Sequence, residues 1–417
     1  MKKLVSLALS AVMACGVTAA LAGCDGDNTN TGAKVEDYEF KPVAASELKV
    51  GLICLHDEDS TYDKNFIDAM DAACKAKGVT LVKQLNKAED STCFDAAEDL
   101  VGQGCKVIFA DSFGHESYIM QAAAKYPSVQ FCHATGTKAL THNLGNYHNA
   151  FASIYEGRYL AGVAAGMKLK TLETKTDDEG KAYYQIGYVG AYPYAEVISG
   201  FTSFYLGVQS VMEENVSVKM DVTYTYSWYS PTDEQTGAEF LIGKGAQLIS
   251  QHADSMGAPN ACQTAGIPNV TYNVSTKSEC PDSYIAGSRI NWQPYFEYMI
   301  DCVMNGDRID ADWCGNLATG SVEVLEFGSA AAEGTAEAVA AAKAKLESGE
   351  VKVFDTSKFT IDGETLTSYK ADVKDYGDYA GETEVVFDGE FNESLFRSAP
   401  YFDQIIDNIT EWNKKAN

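Results

Sequence analysis

Polar and aromatic side chains follow several apolar segments of this sequence, each of a length typical of a buried β-strand. When such strands lie parallel in an open sheet, the loops at their carboxyl ends surround a crevice in which ligands bind. Carboxylates, amides, hydroxyls and aromatic rings in four such loops could surround a flat polar ring that carries hydroxyl groups. The candidate ligand-binding side chains in these loops are Asp59, Tyr62, Asp63, Asn65, Asp111, Ser112, Tyr192, Tyr194 and Asp254.

Several of these residues also have a simpler structural interpretation. Asp63 could cap the helix that follows it, because Asp is among the preferred capping residues. The acidic run 57–59 could be a solvated turn or could bind calcium, although it lacks the glycine-containing spacing of an EF-hand loop. Helix capping also competes with ligand binding for Asp111, and Tyr192 and Tyr194 could be packing residues.

The sequence carries no signature of an enzyme. It contains no Gly-x-Ser-x-Gly elbow, no phosphate-binding loop and no cluster of His and Cys with metal-ligand spacing. His115 and Glu116 resemble half of a zinc motif, but no second His follows at the required spacing. We therefore expect no catalytic residue, no metal and no cofactor.

The elements that must position these side chains form two runs. In the first run, apolar strands alternate with amphipathic helices, which is typical of a parallel sheet covered on both faces. Its predicted strands are 48–55, 79–82, 107–110 and 129–131, and its predicted helices are 62–77, 92–101 and 117–125.

A long helix predicted over 149–169 leads to the second run. This run has predicted strands at 186–190, 218–224, 248–250 and 270–272 and predicted helices at 196–212, 232–242 and 258–265. Two consecutive runs of this kind predict an α/β protein with two doubly wound lobes that face each other. In the less regular C-terminal third we predict helices at 292–304, 335–346 and 400–413, a strand at 322–327, and loops and hairpins over 355–392.

The N-terminus has the pattern of a bacterial export signal. Lys2 and Lys3 precede an apolar stretch that ends in Leu21-Ala22-Gly23-Cys24, and this order is typical of a secretory signal. A Cys directly after Leu-Ala-Gly matches the lipobox, in which that Cys is lipidated. We predict a signal peptide at 1–23, lipidation at Cys24 and a flexible tether at 24–46.

This interpretation places the mature protein on the extracytoplasmic face of the cell membrane, held by its lipid. The alternatives are an ordinary signal peptide that contains a Cys by chance, or an uncleaved anchor. The apolar run is short for a membrane-spanning helix, which needs about 20 apolar residues.

Composition restricts the possible partners. The chain of 417 residues is 46% hydrophobic and has a formal net charge of −27. Its length exceeds that of one simple core, and its acidity argues against nucleic acid or anionic lipid as a partner. We expect a monomer that contacts the membrane only through Cys24. Nine further cysteines, an odd number without a Cys-x-x-Cys pair, indicate neither a disulfide framework nor a zinc ribbon.

Six short motifs stand in an order and spacing that together are fairly specific. They are Lys49-Val50-Gly51-Leu52, Tyr62-Asp63-Lys64-Asn65-Phe66, Leu160-Ala161-Gly162-Val163-Ala164-Ala165, Ile186-Gly187-Tyr188-Val189-Gly190, Phe204-Tyr205-Leu206-Gly207-Val208 and Asn291-Trp292-Gln293-Pro294-Tyr295-Phe296. In these motifs the chain, over about 49–327, resembles the basic membrane protein (BMP) family of ABC-transporter substrate-binding lipoproteins, which includes bacterial purine-nucleoside receptors.

The resemblance implies a type I periplasmic-binding fold whose lobes are joined by a hinge of three crossings. We assign 47–150 and 289–312 to the N-terminal lobe, and 151–288 and 313–417 to the C-terminal lobe. In the family, two aromatic side chains sandwich a base, and Asp or Asn side chains bind the base edge and the ribose hydroxyls. The residues that match these roles are Asp63, then Asp111 and Asp254, with Tyr62 and either Tyr192 or Tyr194 as stacking partners.

The chain departs from the family pattern at several positions. The family's Asn after the Phe is Ile67 here, and Asn65 stands before the Phe instead. The Ser-x-x-Lys of the nucleoside receptors appears as Ser288-Arg289-Ile290-Asn291, without the Lys. The Asn-Trp-x-Pro-Tyr form resembles a different branch of the family, which adds Asn291 and Trp292 to the candidate cleft residues.

The leading hypothesis is a lipoprotein receptor that closes its two lobes on a nucleoside-like solute and delivers it to the permease of an ABC importer. Closure would be favoured because a ligand contacts both lobes only in the closed state. The alternatives are a receptor for a sugar or another small solute, a surface adhesion or signalling lipoprotein without a transport role, and a hydrolase that acts on nucleosides.

Overall fold

The computed structural model describes residues 38–142, 144–373 and 381–415. The predicted signal peptide, Cys24 and most of the predicted tether lie outside these residues. Within them the helices are α1 (Thr61–Lys77), α2 (Ser91–Gly102), α3 (Glu116–Lys125), α4 (Ile154–Leu169), α5 (Ala195–Gln209), α6 (Pro231–Gly243), α7 (Gly257–Ala265), α8 (Gln293–Asn305) and α9 (Thr335–Glu347).

The strands form two large sheets and two small hairpins. In chain order they are β1 (Lys49–Ile53), β2 (Thr80–Gln84), β3 (Val107–Ala110), β4 (Gln130–Ala134), β5 (Tyr147–Ala152), β6 (Lys175–Thr176), β7 (Ala182–Gly190), β8 (Val216–Tyr224), β9 (Ile249–His252), β10 (Asn269–Tyr272), β11 (Tyr284–Ile290), β12 (Asp312–Gly315), β13 (Val322–Val324), β14 (Lys370–Ala371), β15 (Thr383–Glu384), β16 (Val386–Phe387), β17 (Glu390–Phe391) and β18 (Ile409–Glu411).

The first sheet has the strand order β12-β5-β4-β3-β1-β2, and all its pairs are parallel. Ile53 at the end of β1 is in register with Ala110 at the end of β3. The loops that follow these two strands therefore start side by side at one edge of the sheet.

The second sheet has the order β13-β11-β10-β9-β7-β8-β18, with β6 as a hairpin on β7. Only β13 and β6 pair antiparallel among its described strands. Two doubly wound α/β lobes, as predicted, are confirmed by these sheets.

The chain passes between the two lobes three times. The first sheet's β5 leads into α4, which packs against α5 and β11 of the second lobe. The second sheet's β11 leads into α8, which packs against α1 of the first lobe. The third passage runs from β12 to β13. The predicted lobe boundaries at 288/289 and 312/313 fall within β11 and β12, and the division of the chain by residue stays a prediction.

Helix α1 shows how the sequence positions the first candidate side chains. Ser60 caps it, because its Oγ accepts a hydrogen bond from the Asp63 amide, and Gly78 ends it with φ 68°. Phe66 and Met70 lie on its buried face. The helix therefore begins directly after the loop that follows β1, with Tyr62 and Asp63 in its first turn.

Two of the predicted helices were wrong in extent or type. Residues 147–152, predicted in part as helix, form β5, which is fully buried between β4 and β12. Both faces of this strand are buried, so no alternation of buried and exposed residues reveals a strand. The predicted helix at 400–413 is instead irregular backbone followed by β18, since Asn408 has φ 70° and β18 pairs with the edge strand β8.

Among the described residues, no helix is both long and apolar enough to cross a lipid bilayer. The nine cysteines after Cys24 are free thiols, and all except Cys314 are buried. Buried thiols of this kind pack as small apolar groups.

Helices α4 and α5 cross at two glycines. A Cβ at Gly162 would lie 2.1 Å from the Phe204 carbonyl oxygen, and a Cβ at Gly207 would lie 2.0 Å from the Tyr159 carbonyl oxygen. Both neighbours are backbone atoms, so the helices would have to move apart. We expect Gly162→Ala and Gly207→Ala each to lower the free energy of unfolding by about 1–3 kcal/mol.

Denaturant unfolding of the purified variants measures this effect. The matched control is Gly243→Ala at the end of α6, where an added Cβ meets no atom within 4 Å. Equal stability of the Gly162→Ala and Gly243→Ala proteins would show that the helix crossing tolerates a methyl group.

Candidate functional site

The loops at the carboxyl ends of both sheets meet around one narrow cavity. Its volume is about 10 Å³, which is room for a single water. A larger solute can therefore enter only when the lobes move apart. The first lobe lines it with Leu55, Tyr62, Asp63, Ser112, Phe113 and Thr135, and the second lobe with Glu196, Trp228, His252 and Asp254.

Direct contacts join the two lobes beside this cavity. The Thr61 amide donates a hydrogen bond of 2.8 Å to the Asp254 carbonyl oxygen. The ring centroids of Phe113 and Tyr194 are 5.5 Å apart, and those of His56 and Tyr229 are 5.3 Å apart. Groups from both lobes thus surround any solute held here.

Asp63 lies in the wall of the cavity and is only 1% exposed. Its carboxylate accepts hydrogen bonds from the His56 amide at 2.8 Å and from Ser60 Oγ at 2.6 Å. Burial alone would raise the pKa of Asp63, but the hydrogen bonds from His56 and Ser60 outweigh it and hold the pKa below its usual value. Asp63 is therefore an ionised carboxylate that also orders the loop after β1.

Asp111 lies directly behind Asp63 and is fully buried. Its Oδ1 accepts a hydrogen bond of 3.2 Å from the Leu55 amide, and its carbonyl oxygen accepts one of 2.9 Å from Tyr62 Oη. Burial and the nearby charge of Asp63 raise the pKa of Asp111 well above its usual range. The pair therefore favours the arrangement with one proton, in which Asp63 is ionised and Asp111 is protonated.

Cys54, Asp63 and Asp111 are the described residues whose potential ligand atoms cluster within 4.8 Å of one another. To bind a metal ion, the thiol and the Asp111 carboxyl would both have to lose a proton. Burial raises the pKa of each of these two groups. The cluster is thus better suited to holding protons than to holding a cation.

Asp254 brings an acidic side chain to the cavity from the second lobe. Its backbone amide donates to the Trp228 carbonyl oxygen at 2.9 Å. Its carboxyl group is 3% exposed and accepts no hydrogen bond from any described residue. Burial, and then the charges of Glu234, Asp63 and Glu196, raise its pKa well above the usual range. A solute that donates hydrogen bonds would satisfy this carboxyl group.

Glu196 and His252 complete the second lobe's wall. Glu196 lies in the first turn of α5, and His252 is the last residue of β9. His252 Nε2 is 3.4 Å from a Glu196 carboxylate oxygen. Burial lowers the pKa of His252, so the imidazole is neutral and can donate to Glu196.

Four aromatic side chains, which we call the aromatic rim, lie at the mouth of the cavity: Phe113, Tyr192, Tyr194 and Trp228. The rings of Tyr192 and Tyr194 stack at 5.0 Å with an angle of 7° between their planes, and Trp228 meets Tyr192 edge-on at 5.1 Å. Tyr194 is 42% exposed. The rim offers ring faces on which a planar solute could stack.

The structure brings some predicted residues together and separates others. Tyr62, Asp63, Ser112 and Asp254 line the cavity, Asp111 lies behind it, and Tyr192 and Tyr194 lie on its rim. Asp59 is on the exposed surface, and Asn65, Asn291 and Trp292 lie near the lobe crossings. Which of these residues bind the solute stays a prediction.

The residues near the crossings have structural partners. Asn65 Nδ2 donates to the Ile290 carbonyl oxygen at 2.9 Å, and Asn291 Nδ2 donates to the Gly320 carbonyl oxygen at 3.0 Å. The Trp292 ring is buried in the first lobe, 4.5 Å from the ring of Phe66. These contacts hold the start of α1 and of α8 against the hinge.

Sequence reasoning missed six side chains that line the cavity: Leu55, Phe113, Thr135, Glu196, Trp228 and His252. Thr135 directly follows β4, and His252 is the last residue of β9. Glu196 follows the predicted Tyr194 by two positions. Trp228 lies in the segment after β8, which is also the end of a parallel strand. The rule that ligands bind beyond strand ends, applied to every strand, would have included these segments.

Comparison with known proteins agrees with this geometry. The family described as Bmp, ABC transporter substrate-binding protein PnrA-like, matches residues 53–355. A purine-binding protein of Brucella abortus is 30% identical over 269 residues, which are 64% of this chain and 71% of the relative. A protein of Haloferax volcanii, provisionally named an ABC transporter glucose-binding protein, is 30% identical over 254 residues, 61% of this chain and 60% of its own.

Solved structures share the fold at low sequence identity. An ABC transporter solute-binding protein from Conexibacter woesei superposes with a TM-score of 0.57 at 17% identity, covering 73% of this chain and 98% of the other. One from Aeropyrum pernix also has a TM-score of 0.57, at 16% identity, covering 74% and 93%. The predicted type I periplasmic-binding fold is confirmed. The chain belongs to the PnrA-like (Bmp) family of ABC transporter substrate-binding proteins.

Proposed function

We propose that this substrate-binding protein captures a purine nucleoside or a purine base by closing its lobes around it, without converting it. The observation that carries the proposal is the pairing of Asp63 from one lobe with Asp254 from the other across a single cavity, under the aromatic rim. The purine-binding relative from Brucella abortus supports the choice of solute.

The chemistry of a purine suits these groups. A planar base stacked on an aromatic ring gains about 1–3 kcal/mol. The Asp254 carboxyl group, which has no donor partner among the described residues, would accept hydrogen bonds from base N–H groups or ribose hydroxyls. Since the groups come from both lobes, solute binding would favour the closed arrangement.

A sugar is the second candidate, because the relative from Haloferax volcanii is equally similar in sequence. We further propose that the receptor is a monomer, that it docks on the permease of an ABC importer, and that it is anchored outside the cytoplasm by a lipid on Cys24. Nucleic acid is not among the proposed partners.

Two measurements test the choice of solute. Mass spectrometry of small molecules released from the denatured, purified protein identifies a solute that co-purifies. Titration calorimetry with purine nucleosides, purine bases and glucose, followed by chromatography of the mixture, separates the alternatives. Purine binding without product supports the proposal, free base released from a nucleoside supports a hydrolase, and binding of glucose alone supports a sugar receptor. Binding of none of them would favour an interaction protein.

Replacing Cys24 by Ser is expected to move the protein from the membrane fraction to the soluble extracytoplasmic fraction. The physical reason is that lipid chains on this residue supply the apolar surface buried in the bilayer. Cell fractionation with immunoblotting measures the distribution, and Cys314→Ser, which changes an exposed thiol, is the control. Membrane retention of the Cys24→Ser protein would assign the anchor to another part of the chain.

A further inference from the structure

The walls of the cavity are acidic. Three carboxyl side chains line it, Asp63, Glu196 and Asp254, and no Lys or Arg is among the lining residues. Asp111 and Glu234 add two further buried carboxyl groups directly behind these walls. The described surroundings of the solute are therefore rich in carboxyl groups, and that of Asp63 is held ionised by its hydrogen bonds.

Two arginines of the second lobe that could offset these carboxyl groups, Arg289 and Arg158, point elsewhere. Arg289, which follows Ser288, donates to Glu323 Oε2 at 3.0 and 2.9 Å on the partly exposed side of the hinge. It is thus paired with a carboxylate outside the cavity.

Arg158 is buried, but it lies one layer behind the cavity wall. It donates to the Gln251 carbonyl oxygen at 3.0 Å and to Tyr188 Oη, and its guanidinium carbon is 4.6 Å from the centroid of the Tyr272 ring. The Tyr272 ring packs in turn on His252 at 4.6 Å. The tyrosine and the neutral imidazole therefore separate this cation from Glu196 and from the solute.

Within the described parts of the chain, no Lys or Arg side chain lines the cavity. Charges in a narrow space walled by protein interact more strongly than charges in water. An anionic group on a solute would have to be desolvated beside several carboxyl groups, whereas an ammonium or amine group would relieve their mutual repulsion. Among the lining residues, His252 faces Glu196, with its Nε2 3.4 Å from a carboxylate oxygen.

We propose that this cleft selects solutes that carry a positively charged or amine nitrogen and excludes solutes that carry an anionic group. The inference rests on the proposed function for the purine core of the solute, and it defines which purine derivatives the receptor accepts. Nucleotides and other acidic purine derivatives would then be excluded by charge and not by size.

Three adenosine derivatives of similar size test the inference by titration calorimetry at pH 7. They carry an ammonium (5′-amino-5′-deoxyadenosine), a neutral amide (adenosine-5′-carboxamide) or a carboxylate (adenosine-5′-carboxylate). We expect the carboxylate to bind at least about 100-fold more weakly than the amide of nearly identical shape, and the ammonium compound to bind at least as tightly as the amide.

Equal binding of the amide and the carboxylate, within about threefold, would overturn the inference and leave the proposed function intact. If adenosine, adenine, guanosine and guanine also fail to bind, the proposed function fails and the inference falls with it. These two outcomes are distinguishable, because the neutral purines fail to bind only in the second.

A charge-neutral variant identifies the source of the selection. Glu196→Gln is expected to reduce the difference between amide and carboxylate by about tenfold, since it removes one wall charge while keeping the side-chain shape. The matched control is Glu173→Gln, which neutralises an exposed residue of the same lobe. An unchanged difference in a folded Glu196→Gln protein would contradict the assignment of selection to the cavity walls. If that variant does not fold, the comparison of the three probes on the unaltered protein still decides.

Discussion

Replacing Asp254 by Asn is expected to weaken solute binding by at least about 100-fold, because it removes the buried carboxyl group that the solute's donors would meet. Asp254 faces the cavity with no hydrogen-bond donor from the described protein. Its carboxyl group is therefore fully available to a solute, whereas Asp63 offers only the acceptor sites that its two internal hydrogen bonds leave free. The Asn side chain keeps the shape but offers one acceptor oxygen in place of two.

The same substitution is expected to make the protein more stable above neutral pH. The pKa of Asp254 is raised in the folded state by burial and by the charge of Glu234, while in the unfolded chain it is about 4. The folded protein thus binds this proton more tightly than the unfolded chain. The contribution of Asp254 to stability is then lost as the pH rises from about 4 through its folded-state pKa. Asn cannot ionise, so the variant avoids this loss.

Two measurements check this prediction. Calorimetric titration with the identified solute gives the change in affinity, and thermal unfolding from pH 5 to pH 9 gives the change in stability. The control is Asp178→Asn, which removes a charge from an exposed loop of the same lobe. Unchanged affinity in the folded Asp254→Asn protein would remove this residue from the site. A variant less stable than the original at pH 9 would contradict the proposed repulsion.

The elements of the fold that could be predicted are those that have a local pattern of apolar residues in the sequence. The apolar runs around Val50, Phe109 and Val189 are long enough and regular enough to predict strands between amphipathic helices. The strands β11 and β12 were not predicted: β11 follows β10 within the second lobe, and β12 completes the first sheet only after the chain has crossed back to the first lobe. The pairing of β12 depends on β5, which lies more than 130 residues earlier in the chain and places Asn149 opposite Asp312.

The candidate site was predictable where it follows directly from strand order. Asp63 and Asp254 come shortly after strand ends, and both reach the cavity. Trp292 shows why the rest was not predictable: it stands in a family-like motif, but the packing of α8 on α1 directs its ring into the first lobe's core beside Phe66. The direction of a side chain at a hinge depends on how the lobes pack, and a local sequence pattern does not predict this direction.

Replacing Asp63 by Ala is expected to abolish solute binding and to lower the free energy of unfolding at pH 7 by about 1–3 kcal/mol, the usual cost of leaving buried donors unsatisfied. The donors in question are the His56 amide and Ser60 Oγ. The protein should still fold, because the core of the first lobe is unchanged. Circular dichroism and denaturant unfolding measure the fold and its stability, and calorimetric titration measures binding.

Asp111→Asn is the matched comparison, and its stability should respond to pH in the opposite direction. Hydrogen bonds lower the pKa of Asp63 in the folded state despite its burial, so Asp63 stabilises the protein above about pH 4 and loses this effect as the pH falls through its folded-state pKa. Burial and the charge of Asp63 raise the pKa of Asp111, so Asp111 costs stability as the pH rises. The deficit of Asp63→Ala should therefore shrink toward pH 3, whereas the gain of Asp111→Asn should grow toward pH 9. Parallel pH profiles for the two variants would show that these carboxyl groups do not share a proton.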